Sequence, residues 1–228
     1  MRQAMLGGGV VCALAGLASG AILVEGDSGW VNVNTVWGGK VRNITHTNGD
    51  WEMALGQSPG SFAVNRQSTW AGSGEANTFS LTYSNLTGDI SLDWNGSVLN
   101  WNDADRANSL AIQLLARGRS GGDATFEVGD LAFNGEAIDL GVANPFATAG
   151  TTEGHGSASY ILLGGEGFAE LNEWTVSGTL TATWSGSTPS RDLSRVEFIA
   201  SNDRVIPAPA GVAVLGAVAM AVAPRRRR

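Results

Sequence analysis

Cysteine is almost absent from this chain. Cys12 is the only one, and it lies in a stretch that reads as a leader. The body therefore has no means of building a disulfide framework, a thiolate zinc site or a thiol nucleophile, and its stability must come from packing. Cys12 does not read as a lipidation site either. Val11 precedes it where a small residue is needed, and the apolar stretch before it is short.

Positive charge is the next scarcity. Lys40 is the sole lysine, and five of the 14 basic residues (Arg2, Arg225, Arg226, Arg227 and Arg228) belong to the two ends. All 21 acidic residues fall between Glu25 and Asp203, so the body carries nine basic residues and a formal charge of −12, against −7 for the whole chain. Such a surface repels nucleic acid and anionic lipid, which removes both as partners of the body. It is compatible with divalent cations, or with solubility alone.

Histidine is scarce too. His46 and His155 sit in the polar segments "NITHTNGD" and "TEGHGSAS" and read as loop residues. There is no H-E-x-x-H. A glycosidase needs two carboxylates at a defined separation, and the sequence singles out no such pair. No catalytic residue is assigned, and the chain is expected not to be an enzyme.

What is present begins with the ends. Arg2 precedes an apolar, small-residue stretch from Ala4 to Ala18, followed by the small-x-small pattern Ala18-Ser19-Gly20. That predicts a secretory signal peptide over residues 1–20. Gly7 to Gly9 argue against a buried helix there, since each glycine weakens a helix by about 1 kcal/mol relative to alanine. At the other end, Ala210 to Ala223 carries no polar side chain, and counting from Ile206 gives eighteen residues. As a helix these would span about 27 Å, enough for a thin bilayer. Pro207 and Pro209 stand at its N-terminal edge, where a helix tolerates proline. Arg225, Arg226, Arg227 and Arg228 follow it. The positive-inside rule keeps these arginines in the cytoplasm and the body outside, the orientation that the leader also gives.

Residues 205–228, with Pro207-Ala208-Pro209, a short apolar span and a terminal arginine cluster, resemble the PEP-CTERM sorting signal; the family's glutamate is replaced by Ala208. The resemblance implies export by the Sec machinery and signal peptidase, a transient inner-membrane anchor through the tail alone, and removal of that tail by an exosortase. It further implies release at the surface of a bacterium that makes extracellular polysaccharide. The segments "NGDWEMALGQ" (Asn48 to Gln57), "NTFSLTYSN" (Asn77 to Asn85) and "LLARGRSGGDATFEVGDLAFNGEAI" (Leu114 to Ile138) resemble choice-of-anchor domains, W type. That resemblance implies a β-rich exported domain whose motifs are structural.

The body itself has no sustained helical period. It has short alternating runs broken by Gly, Asn, Asp and Ser, which predict strands. These are expected at 30–36, 51–56, 61–65, 78–84, 89–94, 97–101, 110–117, 125–133, 136–140, 160–163, 174–184 and 195–200. "LAIQLLAR" (Leu110 to Arg117) could equally be a helix. In "DISLDWNGSVLNW", Asn95-Gly96 predicts a two-residue type I′ turn pairing Trp94 with Ser97, Leu92 with Leu99 and Ile90 with Trp101. Those apolar residues then share one face, which must be covered by a second layer. Asn134-Gly135 predicts a second hairpin, with Leu131 opposite Ile138 and Asp130 opposite Asp139. From Trp174 to Trp184 a row of hydroxyls faces away from an apolar row. The expected architecture is all-β: a single-domain, jelly-roll-like β-sandwich over residues 25–204.

Candidate binding residues are few. Of eight tryptophans, Trp94, Trp101, Trp174 and Trp184 fall on apolar faces and read as core. Trp37 and Trp70 lie beside glycines in less regular segments and are the candidates for stacking on sugar rings. No cofactor is expected, with structural Ca²⁺ as the one candidate ion. Asp103 and Asp105 alternate in "NWNDADRAN", and Asp130 facing Asp139 would be eased by a cation, by exposure or by a different register. The expected role is that of a non-catalytic surface or matrix protein in an extracellular polysaccharide layer. A carbohydrate-binding module using exposed tryptophans is the alternative, and a secreted hydrolase is third.

Overall fold

The computed structural model describes residues 23–26, 34–42, 52–58, 61–116, 122–138, 148–150, 157–164, 166–186 and 194–202. The leader expected at 1–20, with Ala18, Ser19 and Gly20, lies outside these residues. So does the expected sorting signal at 205–228, with Pro207, Ala208 and Pro209 and the cluster Arg225, Arg226, Arg227 and Arg228. Trp30, His46, Trp51, Asp139 and His155 are outside them as well. Among the described residues no helix is long and apolar enough to cross a membrane.

The strands are β1 (Leu23–Gly26), β2 (Thr35–Arg42), β3 (Met53–Ser58), β4 (Ser61–Arg66), β5 (Ala76–Ser84), β6 (Ile90–Trp94), β7 (Ser97–Trp101) and β8 (Ser109–Ala116). They continue with β9 (Ala124–Phe133), β10 (Glu136–Ala137), β11 (Thr148–Gly150), β12 (Ser157–Gly164), β13 (Glu173–Trp184) and β14 (Arg195–Ser201), with one short helix, α1 (Glu166–Glu170). They form two sheets of seven strands. The first has the order β1-β12-β8-β14-β2-β3-β4. The second has the order β10-β9-β13-β5-β6-β7, with β11 also on β9.

The two sheets pack face to face as a β-sandwich, and every described pairing is antiparallel. Alternation along each strand fills the space between them. Trp37 and Val41 of β2, Leu110, Ile112 and Leu114 of β8, and Val196 and Phe198 of β14 point inward from the first sheet. Phe79, Leu81 and Tyr83 of β5, Phe126 and Val128 of β9, and Trp174, Val176 and Leu180 of β13 meet them from the second. Phe79 and Phe198 touch across the layer at 5.6 Å between ring centroids.

The β6–β7 hairpin forms in the expected register, with Trp94 opposite Ser97, Leu92 opposite Leu99 and Ile90 opposite Trp101. Asn95 and Gly96 have φ of 50° and 79°, the left-handed pair that a type I′ turn requires. Asn134 and Gly135, at 51° and 83°, make the second such turn. There the Ile138 amide donates to the Leu131 carbonyl at 2.8 Å.

One open reading is decided and one strand expectation changes. Of the two readings of "LAIQLLAR", the strand is found over Leu110 to Ala116, within β8 between β12 and β14; Arg117 lies outside the described residues. The strand expected at 30–36 overlaps β2 only at Thr35 and Val36, with 30–33 outside the described residues, and β2 runs on through Gly38 and Gly39 rather than ending before them. A Cβ at Gly39 would sit 3.0 Å from Leu55 Cδ2, so Leu55 would have to shift to admit a side chain there.

The outer face of the first sheet carries basic residues of its strands. Lys40 and Arg195 both reach Glu197 Oε1 at 2.9 Å. Where β4 and β7, the last strands of their sheets, come together, Arg66 Nη1 donates to the Val98 carbonyl at 2.7 Å.

Candidate functional site

Register builds the site. Thr175 of β13 lies opposite Thr82 of β5, Thr82 opposite Ser91 of β6, and Ser91 opposite Asn100 of β7. Four polar side chains thus form one row across four strands, on the face turned away from the core. The Thr82 and Thr175 hydroxyls are 3.0 Å apart.

At the Ser84 end of β5 this row runs into a cleft of about 670 Å³. Thr82, Ser91 and Asn100 line it on the polar side, with Glu173 at the start of β13. Tyr83, Ile90 and Trp101 line it on the core side, joined by Val64 from β4 of the other sheet. Ser84, Thr87, Asp89 and Asn102 complete the wall.

The turn between β5 and β6 shapes one side. The Thr87 hydroxyl donates to Asp89 Oδ2 at 2.6 Å, and the Ser84 amide donates to the Asp89 carbonyl at 2.9 Å. Gly88, at φ 73°, lets the segment after β7 close over this turn, since a Cβ there would fall 2.8 Å from the Ala104 carbonyl oxygen. Asn85 ties the same place together, with its Nδ2 donating to the Leu171 carbonyl at 2.6 Å and its Oδ1 accepting from the Ala107 amide at 3.1 Å.

Tyr83 forms the floor. Its ring packs on Trp37 at 5.0 Å and Trp174 at 5.3 Å, and its hydroxyl donates to the Asp105 carbonyl at 2.7 Å. Burial pushes the phenol above its ordinary value, outweighing the opposite pull of the Ala107 backbone, the Trp37 side chain and Arg106. The folded phenol therefore keeps its proton to higher pH than the unfolded one. Its contribution to stability is whole below about pH 10 and is lost as pH rises from there through the folded value. We expect Tyr83→Phe to lower stability at neutral pH by about 1 kcal/mol and to flatten its alkaline decline. Urea titrations at pH 7.5 and above pH 10 check this; an alkaline decline of unchanged steepness would refute it.

The site differs from the sequence expectation. Trp37 is fully buried behind Tyr83 and presents no face to a ligand. The neighbouring glycines that suggest exposure are strand residues of β2, which turns Trp37 inward. Trp70 is half-buried over the end of the core, 4.7 Å from Trp94 and 5.7 Å from Phe126 between ring centroids. Trp37 and Trp70 therefore do not make a stacking platform together. Trp94, Trp101 and Trp174 are core residues as expected, and Trp184 packs on the rim.

The acidic candidates do not converge. Asp103 and Asp105 are exposed in the segment after β7. Asp130, also exposed, sits in a bulge where it and Leu131 together face Gly178, with φ at 49°. Thr179 Oγ1 lies 3.4 Å from its Oδ2. Asp139 is outside the described residues. Among the described residues no three His, Cys, Asp or Glu side chains come together as a metal site.

Sequence reasoning missed the cleft. The NG turn already placed Ser91 beside Asn100, but Thr82 and Glu173 join them only through the pairing of β5 with β6 and β13, which no local signal carries. No protein-family model matches the chain, and no curated protein matches it.

Proposed function

We propose that this chain is an exported, exosortase-processed surface or matrix protein, with a binding or structural role rather than a catalytic one. The observation that carries the reading is the division of the sequence: a strongly acidic β-rich body between a leader and a Pro207-Ala208-Pro209, apolar, Arg225-to-Arg228 tail. The resemblances to the sorting signal and to choice-of-anchor domains rest on the quoted residues.

The finer fold reading is supported by connectivity. The order β2-β14-β8-β12 in one sheet and β5-β13-β9-β10 in the other is that of a jelly roll. The β3–β4 and β6–β7 hairpins then extend the two sheets on the same side.

The cleft favours binding over turnover. A catalytic carboxylic acid is set up by shelter from water, whereas Asp89 and Glu173 belong to exposed residues. Among the described residues no histidine, cysteine, lysine or arginine lines the cleft.

Replacing Arg225, Arg226, Arg227 and Arg228 together with serine is expected to leave the tail unprocessed or poorly retained. Intact mass and cell fractionation of the full chain in its own host read this out. Unchanged mature mass and location would refute the sorting reading.

A further inference from the structure

We propose that the cleft and the polar row leading into it bind glycosyl units of an uncharged polysaccharide. This rests on the matrix reading above for the choice of ligand class, and on the geometry of the second sheet for everything else.

Charge is the first argument. The strands of the second sheet, β5, β6, β7, β9, β10, β11 and β13, contain no lysine, arginine or histidine, whereas those of the first carry Lys40, Arg42, Arg66 and Arg195. Among the described residues the cleft adds two carboxylates, Asp89 and Glu173, and no cation. A uronate or sulfated chain would meet like charge in the cleft, with no cation among its described lining residues.

Side-chain chemistry is the second. Thr82, Ser91 and Asn100 each both donate and accept, and the two carboxylates accept. Vicinal sugar hydroxyls need that mixture. A basic protein segment would call for carboxylates instead, and the hydroxyls and amide here outnumber them. The volume is in the range of small-ligand sites, about 300–1,000 Å³.

Continuation is the third. Beyond the cleft, Ser177 faces Ser80 and Thr179 faces Thr78 after the Thr175–Thr82 pair. Strands about 4.8 Å apart and residues about 6.8 Å apart along them give a partly exposed hydroxyl track, which suits a chain longer than the cleft. Trp101 is only 8% exposed, so hydrogen bonds rather than ring stacking would carry the affinity.

The test uses the purified full chain in affinity electrophoresis with dextran, a mixed-linkage β-glucan and galactomannan, with alginate and polylysine alongside. At least one neutral polysaccharide should retard the protein, and alginate should not. Thr82→Val combined with Asn100→Ala, both at solvent-exposed positions, should weaken retardation about tenfold or more. Thr69→Val, outside the cleft, should leave it unchanged, and circular dichroism confirms that both variants fold. No retardation by any neutral polysaccharide would overturn the proposal. So would equal retardation by alginate, stronger binding to polylysine, or indifference to the double substitution. Tail processing is a separate observable, so failure here with normal processing would remove the glycan site and leave the sorting reading standing.

Discussion

Trp174→Ala should lower stability by about 3–5 kcal/mol, the range for truncating a large buried aromatic. Trp174 sits at the centre of an aromatic cluster. It lies 6.0 Å from Trp37, 5.3 Å from Tyr83, 6.4 Å from Phe133 and 5.3 Å from Phe168 between ring centroids. Its neighbours come from β2 and α1 as well as from β5 and β9, so no single strand can relax into the space left behind. Against a typical total of about 5–15 kcal/mol, this loss is a large share. With a urea slope of about 2 kcal/mol/M, the unfolding midpoint should fall by about 2 M. Trp184→Ala gives the comparison: its side chain is on the rim of the core, and the shift should be less than half as large. Circular dichroism on the full chain reads both. Equal shifts for the two variants would show that the cluster around Trp174 is not the centre of the core.

The same cluster explains why the sequence misleads about Trp37. Glycine pairs commonly end strands, so "WGGK" suggests that Trp37 lies at a loose end. In the fold, Gly38 and Gly39 are interior strand residues. A side chain at Gly39 would crowd Leu55, and Gly38 lies opposite Gly56 of β3 and Ile199 of β14. Alternation then carries Trp37 to the inside with Val41. Close approach between strands depends on the partner strands, here β3 and β14, and nothing in "WGGK" specifies them.

Where local chemistry alone decides, the fold is legible in the sequence. Two NG turns set two hairpins, and the β6–β7 register follows residue by residue. The long alternation of β13 predicts which side of the second sheet faces the core. What is not legible is which strands neighbour each other. Whether Thr82 stands beside Ser91 depends on β5 pairing with β6, and whether Glu173 joins them depends on β13 pairing with β5. The cleft is made of those pairings, so no one segment foretells it.

Asn77→Ala is expected to have the second-largest effect, about 2–4 kcal/mol, although it removes only a few atoms. Asn77 is fully buried at the edge of the core. Its Oδ1 accepts from the Ala71 amide at 2.7 Å and from Asn95 Nδ2 at 2.8 Å, and its Nδ2 donates to the Leu180 carbonyl at 3.1 Å. One amide thus ties the loop carrying Trp70, the β6–β7 turn and β13 to β5. Alanine would take the side-chain partner from the buried Leu180 carbonyl and the partly buried Ala71 amide, and a buried group left without its partner costs about 1–3 kcal/mol. Asn95→Gly separates the network from the turn. Glycine keeps the left-handed backbone but gives up the Asn95 Nδ2 bonds to the Thr69 carbonyl and Asn77, both 2.8 Å, and the Oδ1 bond from the Thr78 amide at 2.8 Å. These positions are partly exposed, water can replace Asn95 there, and the loss should be about 1 kcal/mol. Urea titration of both variants and of the double variant measures the coupling. Because the two side chains share a bond, the double variant should lose less than the sum of the singles. A strictly additive result would mean that the two asparagines act independently, and that the end of the sandwich is held by packing of Trp70 on Trp94 and Phe126 rather than by this network.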